Sequence, residues 1–201
     1  MQTRKEELTA ALIDYLLEHG LPELSLRPLA AALGTSARLL IYHFGSKEGL
    51  LAAAMDAMHA HLRSSLQALA DAKMAAAAKP LRWFWDWAIA AENFAYMKLF
   101  YELQMMAVRQ PETYGTFLQG NSLGWLELAK RFMPDDDRDT AMASLTIAVF
   151  DGLFLEMVAT GDCQRTTAAL DRYIELVEQA RLHRANTTSK PRHASTRKQG
   201  T

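Results

Sequence analysis

The sequence predicts an all-α protein of about nine helices, in which a small N-terminal module precedes a larger helical domain. Three observations support this prediction. Alanine and leucine are the most frequent of the 201 residues, and ten methionines accompany them. Apolar residues recur at helical spacing. Glycine, proline and serine fall at breaks between the apolar stretches. Half of the residues are hydrophobic, which is enough for a sizeable core, and no repeat or strand pattern interrupts the helical one.

Composition limits the classes of protein to which the chain can belong. Its single cysteine, Cys163, cannot form an internal disulfide, which fits a reducing cytoplasm. The polar N-terminus is unlike a signal peptide. The most apolar run, residues 141–159, is interrupted by Asp151, Gly152 and Glu156, so we expect no membrane span. No Cys/His spacing suggests a metal, and no nucleophile–base pair or phosphate loop suggests an enzyme. We therefore expect neither catalysis nor a cofactor.

The first 46 residues predict three helices. Residues 4–19 carry one apolar stripe and end at a glycine. Two helices of roughly eight residues follow, with Ser25 and Ser36 as expected N-caps and a turn at Gly34 and Thr35 between them. Two short helices joined by a three-residue turn that contains glycine are typical of the helix-turn-helix arrangement.

Six further helices are predicted beyond this module. Ser46 is the expected cap of a long helix from residue 47 to about 71, and the others lie at about 80–91, 93–109, 111–132, 137–160 and 166–184. The last segment is polar and basic, which predicts disorder. The predicted organisation is a helix-turn-helix domain at 1–46, a connecting helix at 47–72, a ligand-binding and dimerisation domain at 73–185 and a basic tail at 186–201.

The third helix has an inward and an outward face. At 100° per residue, Leu40 and Phe44 share the face that docks onto the first two helices. The opposite side carries Arg38, Leu39, Tyr42 and His43, as two pairs of side chains one turn apart. An arginine can bridge O6 and N7 of guanine, a leucine can meet a thymine methyl, and Tyr and His can donate to phosphate or base. This face therefore predicts a helix that enters the major groove.

Three more side chains flank this face and can hold phosphate. Lys47 stands at the N-terminus of the next helix, where free N–H groups and the helix dipole favour an anion. Arg27 and Ser25 begin the second helix. The net charge is −1, and residues 1–63 contain six basic and seven acidic side chains, so any contact with nucleic acid must be local. The predicted DNA-binding residues are Ser25, Arg27, Thr35, Ser36, Ala37, Arg38, Leu39, Tyr42, His43 and Lys47.

The stretch SLRPLAAALGTSARLLIYHFGSKEGLL, residues 25–51, resembles the DNA-binding segment of the tetracycline-repressor-like (TetR) family of bacterial transcription regulators. The matching positions are Ala30, Gly34, Ser36, Leu40, His43, Phe44, Ser46, Lys47 and Leu50. The resemblance implies an all-α homodimer with an N-terminal DNA-binding domain. It also implies a C-terminal domain that holds a small ligand and dimerises through its last two long helices.

Two positions depart from the pattern of the family. Ile41 stands where the family often has a tyrosine that touches phosphate, and the tyrosine of this chain is next to it, at Tyr42. We therefore expect Ile41 to pack. Arg38 stands where a small residue is common, and we expect it to influence sequence choice.

Aromatic and methionine residues concentrate after Pro80. They either form core alone or line the apolar cavity that the resemblance implies, with Asn93, Glu102 and Gln104 as the polar groups best placed to orient a small apolar or aromatic effector. The predicted ligand-binding residues are Trp83, Trp87, Phe94, Met97, Phe100, Tyr101, Glu102 and Met105.

A dimer interface is expected on the last two long helices. Gly152 interrupts an apolar helix, and a small residue allows two helices to approach closely. A four-helix bundle across a two-fold axis would result, although internal packing alone would also explain the pattern. The predicted interface residues are Val149, Gly152, Leu153, Glu156, Leu170, Tyr173, Ile174 and Val177.

These expectations combine into one function and one alternative. The sequence predicts a cytoplasmic, ligand-responsive repressor that binds a pseudo-palindromic double-stranded DNA operator as a homodimer and is released by a small, largely apolar effector. The alternative is a helical carrier of apolar ligands, or a partner-binding scaffold, with a non-functional helix-turn-helix. The near-neutral charge of the N-terminal third keeps this alternative open.

Overall fold

The computed structural model describes residues 3–21, 24–73, 79–133 and 139–188, and these residues form nine helices and no strand. The predicted all-α class is confirmed. The helices are α1 (Arg4–His19), α2 (Leu26–Ala32), α3 (Ala37–Phe44), α4 (Lys47–Lys73), α5 (Pro80–Ile89), α6 (Ala91–Val108), α7 (Pro111–Phe132), α8 (Thr140–Thr160) and α9 (Cys163–Thr188).

Most helix ends lie within two residues of their predicted positions, and the larger differences have local causes. α5 ends early because the backbone of Ala90 is extended (φ −60°, ψ 141°), which closes one helix and opens the next. α9 begins at Cys163 because the carboxylate of Asp162 accepts the N–H of Arg165 at 3.0 Å and so caps the helix. α9 also continues to Thr188. Residues 186–188 of the tail predicted at 186–201 are therefore helical, while the rest of that tail and the predicted start of α8 at 137 lie outside the described residues.

Two of the three predicted serine caps form hydrogen bonds. The Oγ of Ser36 accepts the N–H of Leu39 at 3.1 Å, and that of Ser46 accepts the N–H of Gly49 at 3.0 Å. Ser25 precedes α2 as expected, but its side chain makes no capping bond. The third helical position after it is Pro28, which has no N–H to donate.

Two glycines fix the junction between α3 and α4. Gly45 has φ +79°, a backbone conformation that side chains disfavour, and its N–H bonds the carbonyl of Ile41 to close α3. Gly49 lies so close to Phe44 that a Cβ built on it would stand 2.1 Å from the Phe44 carbonyl oxygen. The sharp turn and the close approach together hold α3 against the first turn of α4.

The long helix α4 connects the N-terminal module to the helices that follow it. It packs against α1 and α3, and also against α6 and α7. Its apolar side is continuous over five turns, with Leu50, Met58, Leu62 and Leu66 each no more than 1% exposed. α6 also contacts α1 directly. α4 therefore contacts both the helix-turn-helix and the helices α6 and α7.

α8 is largely apolar, although it carries Asp151 and Glu156, and yet it is poorly covered. By length and composition alone it could cross a membrane, with a mean hydropathy of 1.7 in its most apolar stretch. We expected the interruptions in residues 141–159 to exclude a membrane span, but by length and composition α8 remains a candidate span. A buried core helix of a soluble protein passes the same test, but only 22% of this stretch is buried. Leu145 is 50% and Leu155 43% exposed.

The chain divides by its internal packing into two compact units, Met1–Gly152 and Leu153–Thr201. This division falls within α8 and not at the predicted boundaries after residues 46 and 72. The predicted domain boundaries therefore stay predictions.

Candidate nucleic-acid interface and effector site

The inward face of α3 anchors the helix in the module. Leu40 is fully buried and Phe44 is 8% exposed, as the helical spacing predicted. The ammonium of Lys5, on α1, lies 5.6 Å from the centre of the Phe44 ring. These contacts hold a helix of only eight residues in a fixed orientation, which an isolated helix of that length would not keep.

The outward face of α3 exposes the side chains that were predicted to read DNA. Tyr42 is 80% exposed, an unusual state for an aromatic residue, and Leu39 is 38% exposed. Arg38 and Arg27 are exposed, and neither has an ion-pair partner among the described residues. Two unpaired guanidinium groups and a projecting phenol therefore lie on α2 and α3, available to phosphates and base edges.

His43 and Ile41 flank this face. The His43 ring is half-buried and meets the Tyr42 ring edge-on at a centroid distance of 5.3 Å. Ile41 is 37% exposed, so the expectation that it packs is wrong. It follows Leu40 by 100° around the helix and so points beside the core instead of into it. An apolar side chain thus stands at the edge of the outward face.

The turn residues act mainly through the backbone. The Oγ1 atom of Thr35 is buried without a hydrogen-bond partner among the described residues. The hydroxyl of Ser36 is engaged by the N–H of Leu39, and Ala37 is half-buried. Ser25 has an exposed hydroxyl that is free of a capping bond. Of the four predicted residues, Ser25 alone thus has a polar side-chain group that is both exposed and unengaged.

Lys47 is engaged within the protein. Its ammonium donates a hydrogen bond of 2.8 Å to the carbonyl oxygen of Leu24, in a partly buried position. An ammonium has three donors, so two remain for another acceptor. Hydrogen bonds from the backbone and from the Ser46 hydroxyl lower the pKa of neighbouring Glu48, which keeps a negative charge beside Lys47. No motif in the sequence signals the contact with Leu24, because 23 residues separate the two.

The predicted ligand-binding residues are distributed over several environments. Met97, Phe100 and Tyr101 are buried, whereas Met105 is 51% exposed. The remaining four, Trp83, Trp87, Phe94 and Glu102, are half-buried. The eight side chains therefore range in exposure from 2% at Met97 to 51% at Met105.

Tyr101 uses its polar group inside the core. Its hydroxyl donates a hydrogen bond of 2.6 Å to the carboxylate of Asp151. Burial raises the pKa of Asp151, while the bond from Tyr101 opposes that shift. Burial, followed by the charge of Asp151, raises the pKa of Tyr101 well above its ordinary value. The pair fixes α6 against the first half of α8 and leaves the Tyr101 hydroxyl already engaged.

Sequence reasoning missed a second group of residues. His59 on α4 is 7% exposed and lies among the rings of Phe100, Phe117 and Trp125, at centroid distances of 6.5, 6.4 and 5.9 Å. Burial, and then the charge of Arg63, lowers its pKa to about 4. In the sequence, His59 directly follows Met58, which belongs to the apolar side of α4. This position beside the apolar side was the signal that could have located the group.

The predicted interface residues also differ in exposure. Gly152 and Glu156 are exposed, and Glu156 accepts from Arg165 at 2.8 Å. Leu170 and Ile174 are buried within the chain itself. The other four, Val149, Leu153, Tyr173 and Val177, are half-buried. Leu155 on α8 and Leu176 on α9 are large apolar residues that are 43% and 50% exposed. Neither is among the predicted interface residues.

In the part of the chain that the structure describes, no group of three or more His, Cys, Asp or Glu side chains could hold a metal ion. Nine helices with a short, projecting third helix define a helix-turn-helix protein of the all-α class. The model of the family of bacterial regulatory proteins, tetR family, matches residues 8–54. The resemblance seen in residues 25–51 is thereby confirmed, and the match to this family covers residues 8–54.

Two solved structures have a similar fold. The multidrug binding protein EbrR complexed with imidazole has a TM-score of 0.61 and 23% sequence identity, over 84% of this chain and 88% of that one. EbrR complexed with ethidium has a TM-score of 0.62 and 22% identity, over 85% of this chain and 98% of that one. No curated protein matches the chain. The likeness thus extends beyond the matched module to most of the helical domain, as a likeness of fold.

Proposed function

We propose that this protein is a ligand-responsive transcriptional repressor that binds a pseudo-palindromic DNA operator as a homodimer. The observation that carries the proposal is the outward face of α3, where Tyr42 is 80% exposed beside the exposed Arg38 while Leu40 and Phe44 fix the helix from behind. A rigid short helix with an exposed, hydrogen-bonding face is what entry into a major groove requires.

Contacts with DNA would be of two kinds: some would bind phosphates and position the protein, and others would read the bases. The exposed hydroxyl of Ser25 and the exposed guanidinium of Arg27 lie at the start of α2 and suit phosphates at the edge of the groove. The two remaining donors of Lys47 suit a phosphate at the start of α4. Arg38 and Leu39 on α3 suit base edges. In this proposal the residues of α3 determine which DNA sequence is bound, and the residues on either side of α3 contribute affinity for any sequence.

Dimerisation through α8 and α9 would cover the apolar surface that a single chain leaves open. Leu155 and Leu176 are 43% and 50% exposed, and only 22% of the most apolar stretch of α8 is buried. A Cβ built on Gly152 meets no atom of the described residues within 4 Å, so this position has room for a closely packed partner helix. Two α3 helices related by a two-fold axis would then meet major grooves about 34 Å apart or a multiple of it.

A small effector would act by favouring a conformer that does not fit the operator. EbrR is described as a multidrug binding protein and was solved with ethidium and with imidazole. In this chain, α6 carries Tyr96, whose ring lies 5.1 Å from that of His61 on α4. Burial, and then the carboxylate of Asp14 on α1, raises the pKa of Tyr96 to about 12. A ligand that displaced α6 would therefore press on α1 and α4 and so shift the population toward a non-binding state.

A helical carrier or scaffold with an inactive helix-turn-helix is the second candidate. Two observations favour it: the seven acidic and six basic residues of positions 1–63, and the engagement of Lys47 by Leu24. Such a protein would bind small apolar molecules in its helical domain and show no preference among DNA sequences.

Selection from fragments of the source genome tests the proposed function. The full-length protein is mixed with fragments at a fixed salt concentration, because affinity for DNA depends steeply on salt. We expect enrichment of one or a few sites with two-fold symmetry, protected from cleavage on both half-sites. The expected control is an Arg38→Ala, Tyr42→Ala double variant that enriches none of them. Uniform recovery of fragments by the unmodified protein would contradict the proposal and support the carrier.

A further inference from the structure

We propose that Ile41 and Leu39 read thymine methyl groups in the operator, one on each side of the base pair that Arg38 contacts. The inference rests on the proposed function, because it names the chemistry of the DNA sequence that this regulator selects. Ile41, which we expected to pack, thereby becomes a residue that determines specificity.

The outward face of α3 is rich in exposed apolar side chains. Tyr42, Leu39 and Ile41 are 80%, 38% and 37% exposed. They are three of the eleven large hydrophobic side chains that are exposed in the described part of the chain, although α3 has only eight residues. Single exposed hydrophobic residues are common on proteins, but a concentration of them on one short helix indicates a contact surface.

Leu39 and Ile41 lie on opposite edges of this face. At 100° per residue, Ile41 lies about 60° to one side of Arg38, and Leu39 lies about 60° to the other side of Tyr42. Each apolar side chain is therefore the helical neighbour, three residues away, of one hydrogen-bonding side chain. The face thus has two hydrogen-bonding side chains at its centre and an apolar side chain at each edge.

Both apolar edges are held in fixed positions. The N–H of Leu39 donates to the Ser36 hydroxyl at 3.1 Å, and the carbonyl oxygen of Ile41 accepts the N–H of Gly45 at 2.8 Å. The branched Cβ of isoleucine leaves one strongly preferred χ1 rotamer in a helix. Ile41 therefore loses little conformational freedom when it is ordered against a base, which favours a specific contact.

The chemistry of the major groove identifies the group that these edges can contact. The groove is bordered by phosphates, and an apolar side chain that removes water from a phosphate gives no hydrogen bond in return. Among the base edges, thymine presents a methyl group, which apolar side chains contact. Tyrosine, which the TetR family often has at position 41, could donate to a phosphate, but isoleucine cannot. A thymine methyl is therefore the partner that suits Ile41.

The length of α3 limits where the two methyl groups can lie. A helix rises about 1.5 Å per residue, so the eight residues of α3 span about 12 Å. Because base pairs follow one another at about 3.4 Å, the face reaches about four of them. The expected half-site therefore has a guanine for Arg38 between two thymines, on either strand, within this length.

Deoxyuridine tests the inference because it differs from thymidine only by the loss of the methyl group. Each thymine of a selected operator is replaced in turn, and the affinity of the full chain is measured at one salt concentration. We expect two thymines in each half-site at which the replacement weakens binding about fourfold, as the loss of one buried methyl group predicts. Thymines outside the reach of α3 are the control and should tolerate the replacement. At the two sensitive positions, 5-methylcytosine should bind more tightly than cytosine.

Protein variants assign each methyl group to its side chain. In Ile41→Ala, deoxyuridine should have no further effect at one of the two thymines and should keep its effect at the other, and Leu39→Ala should show the reverse. Ile41→Tyr should lose the same dependence as Ile41→Ala while it keeps a large side chain. Leu17→Ala on α1 is the matched control, because Leu17 is as exposed as Leu39, at 38%, and it should keep both effects.

The same measurements distinguish a failure of this inference from a failure of the proposed function. Selective binding in which deoxyuridine has no effect within reach of α3, or keeps both effects in Ile41→Ala and in Leu39→Ala, would overturn the inference and leave the regulator intact. A single sensitive thymine that depends on Leu39 alone would overturn the role of Ile41. The absence of any selective binding would contradict the proposed function, and the inference with it.

Discussion

The ammonium of Lys47 donates a hydrogen bond of 2.8 Å to the carbonyl oxygen of Leu24, across 23 residues of chain. The bond joins the first residue of α4 to the segment that leads into α2, so it closes the helix-turn-helix on the side opposite the α2–α3 turn. A lysine that the sequence suggests as a phosphate ligand is thus also a structural contact within the module.

Replacing Lys47 should therefore affect stability as well as DNA binding. We expect Lys47→Met to lower the free energy of unfolding by about 1–2 kcal/mol, because it leaves the Leu24 carbonyl without a charge-assisted bond in a partly buried place. Urea unfolding measures the change. The control is Lys98→Met, at an exposed pair with Glu102, which should change stability by less than about 0.5 kcal/mol. Identical unfolding curves for the two variants would contradict the structural role.

The dependence of DNA binding on salt separates the two roles of Lys47. A lysine that neutralises a phosphate contributes about 0.9 to the slope of log affinity against log salt. We expect Lys47→Met to weaken binding to all sequences alike and to reduce that slope by about one. An unchanged slope in the folded variant would mean that the lysine acts on DNA only by holding the module together.

Two variants of α3 should separate base reading from stability. Arg38 and Tyr42 are both exposed, so Arg38→Ala and Tyr42→Ala should each unfold within about 0.5 kcal/mol of the unmodified protein. Arg38→Ala should cost about 1–3 kcal/mol of binding at its preferred base pair and relax the preference at that position. Affinities for a set of single-base operator variants measure this effect. Equal weakening on every sequence would show that Arg38 contacts only the backbone of DNA.

The burial of His59 predicts a dependence of stability on pH. Its folded pKa is about 4, below the ordinary value of 6.5, so the unfolded chain binds more protons between these two values. Stability from this group is fully present above pH 6.5 and is lost as pH falls toward 4, by up to about 3 kcal/mol in total. Unfolding curves measured across this range should show the fall in the unmodified protein and a flatter profile in His59→Leu.

The neighbouring exposed His61 gives the matched control for this prediction. His61→Leu lies on the same helix and should keep the pH profile of the unmodified protein. His59→Leu should also be at least as stable at pH 7.5, because it removes a buried nitrogen that has no partner among the described residues. A His59→Leu profile as steep as that of the unmodified protein would show that another group titrates.

The oligomeric state tests the proposed use of α8. A Cβ on Gly152 meets nothing within 4 Å among the described residues of the chain, so we expect Gly152→Trp to fold normally but to prevent dimerisation. Sedimentation measures the mass, and Gly120→Trp, equally open on α7, should remain a dimer. A dimer that persists in Gly152→Trp, or an unmodified protein that is a monomer, would exclude this interface.

Local signals in the sequence predicted the helices well because each end is set by neighbouring residues. Gly45 closes α3, and Ser36 and Ser46 cap the helices that follow them. Where the prediction failed, another residue intervened: Pro28 removed the donor that Ser25 would have capped, and Asp162 began α9 early. Sequence patterns of this kind operate over three or four residues, which is the distance that a cap or a helical turn spans.

The candidate sites were less predictable because they depend on contacts that are remote in the sequence. The bond from Lys47 to Leu24 and the approach of His59 to Gly124 join segments that are 23 and 65 positions apart, and no local pattern signals either of them. Helical spacing correctly placed Tyr42 outward, but it did not reveal that neighbouring Ile41 would also remain exposed. Periodicity gives the direction of a side chain, and only tertiary packing determines what covers it.

The ratio of specific to non-specific DNA affinity tests the central claim most directly. It is measured by titrating the full-length protein, at one fixed salt concentration, with a selected genomic fragment and with a shuffled fragment of the same composition. We expect a ratio of about a thousandfold or more, as sequence-reading proteins show, and its collapse in the Arg38→Ala, Tyr42→Ala double variant. A ratio near one for the unmodified protein would contradict the claim that α3 reads DNA sequence.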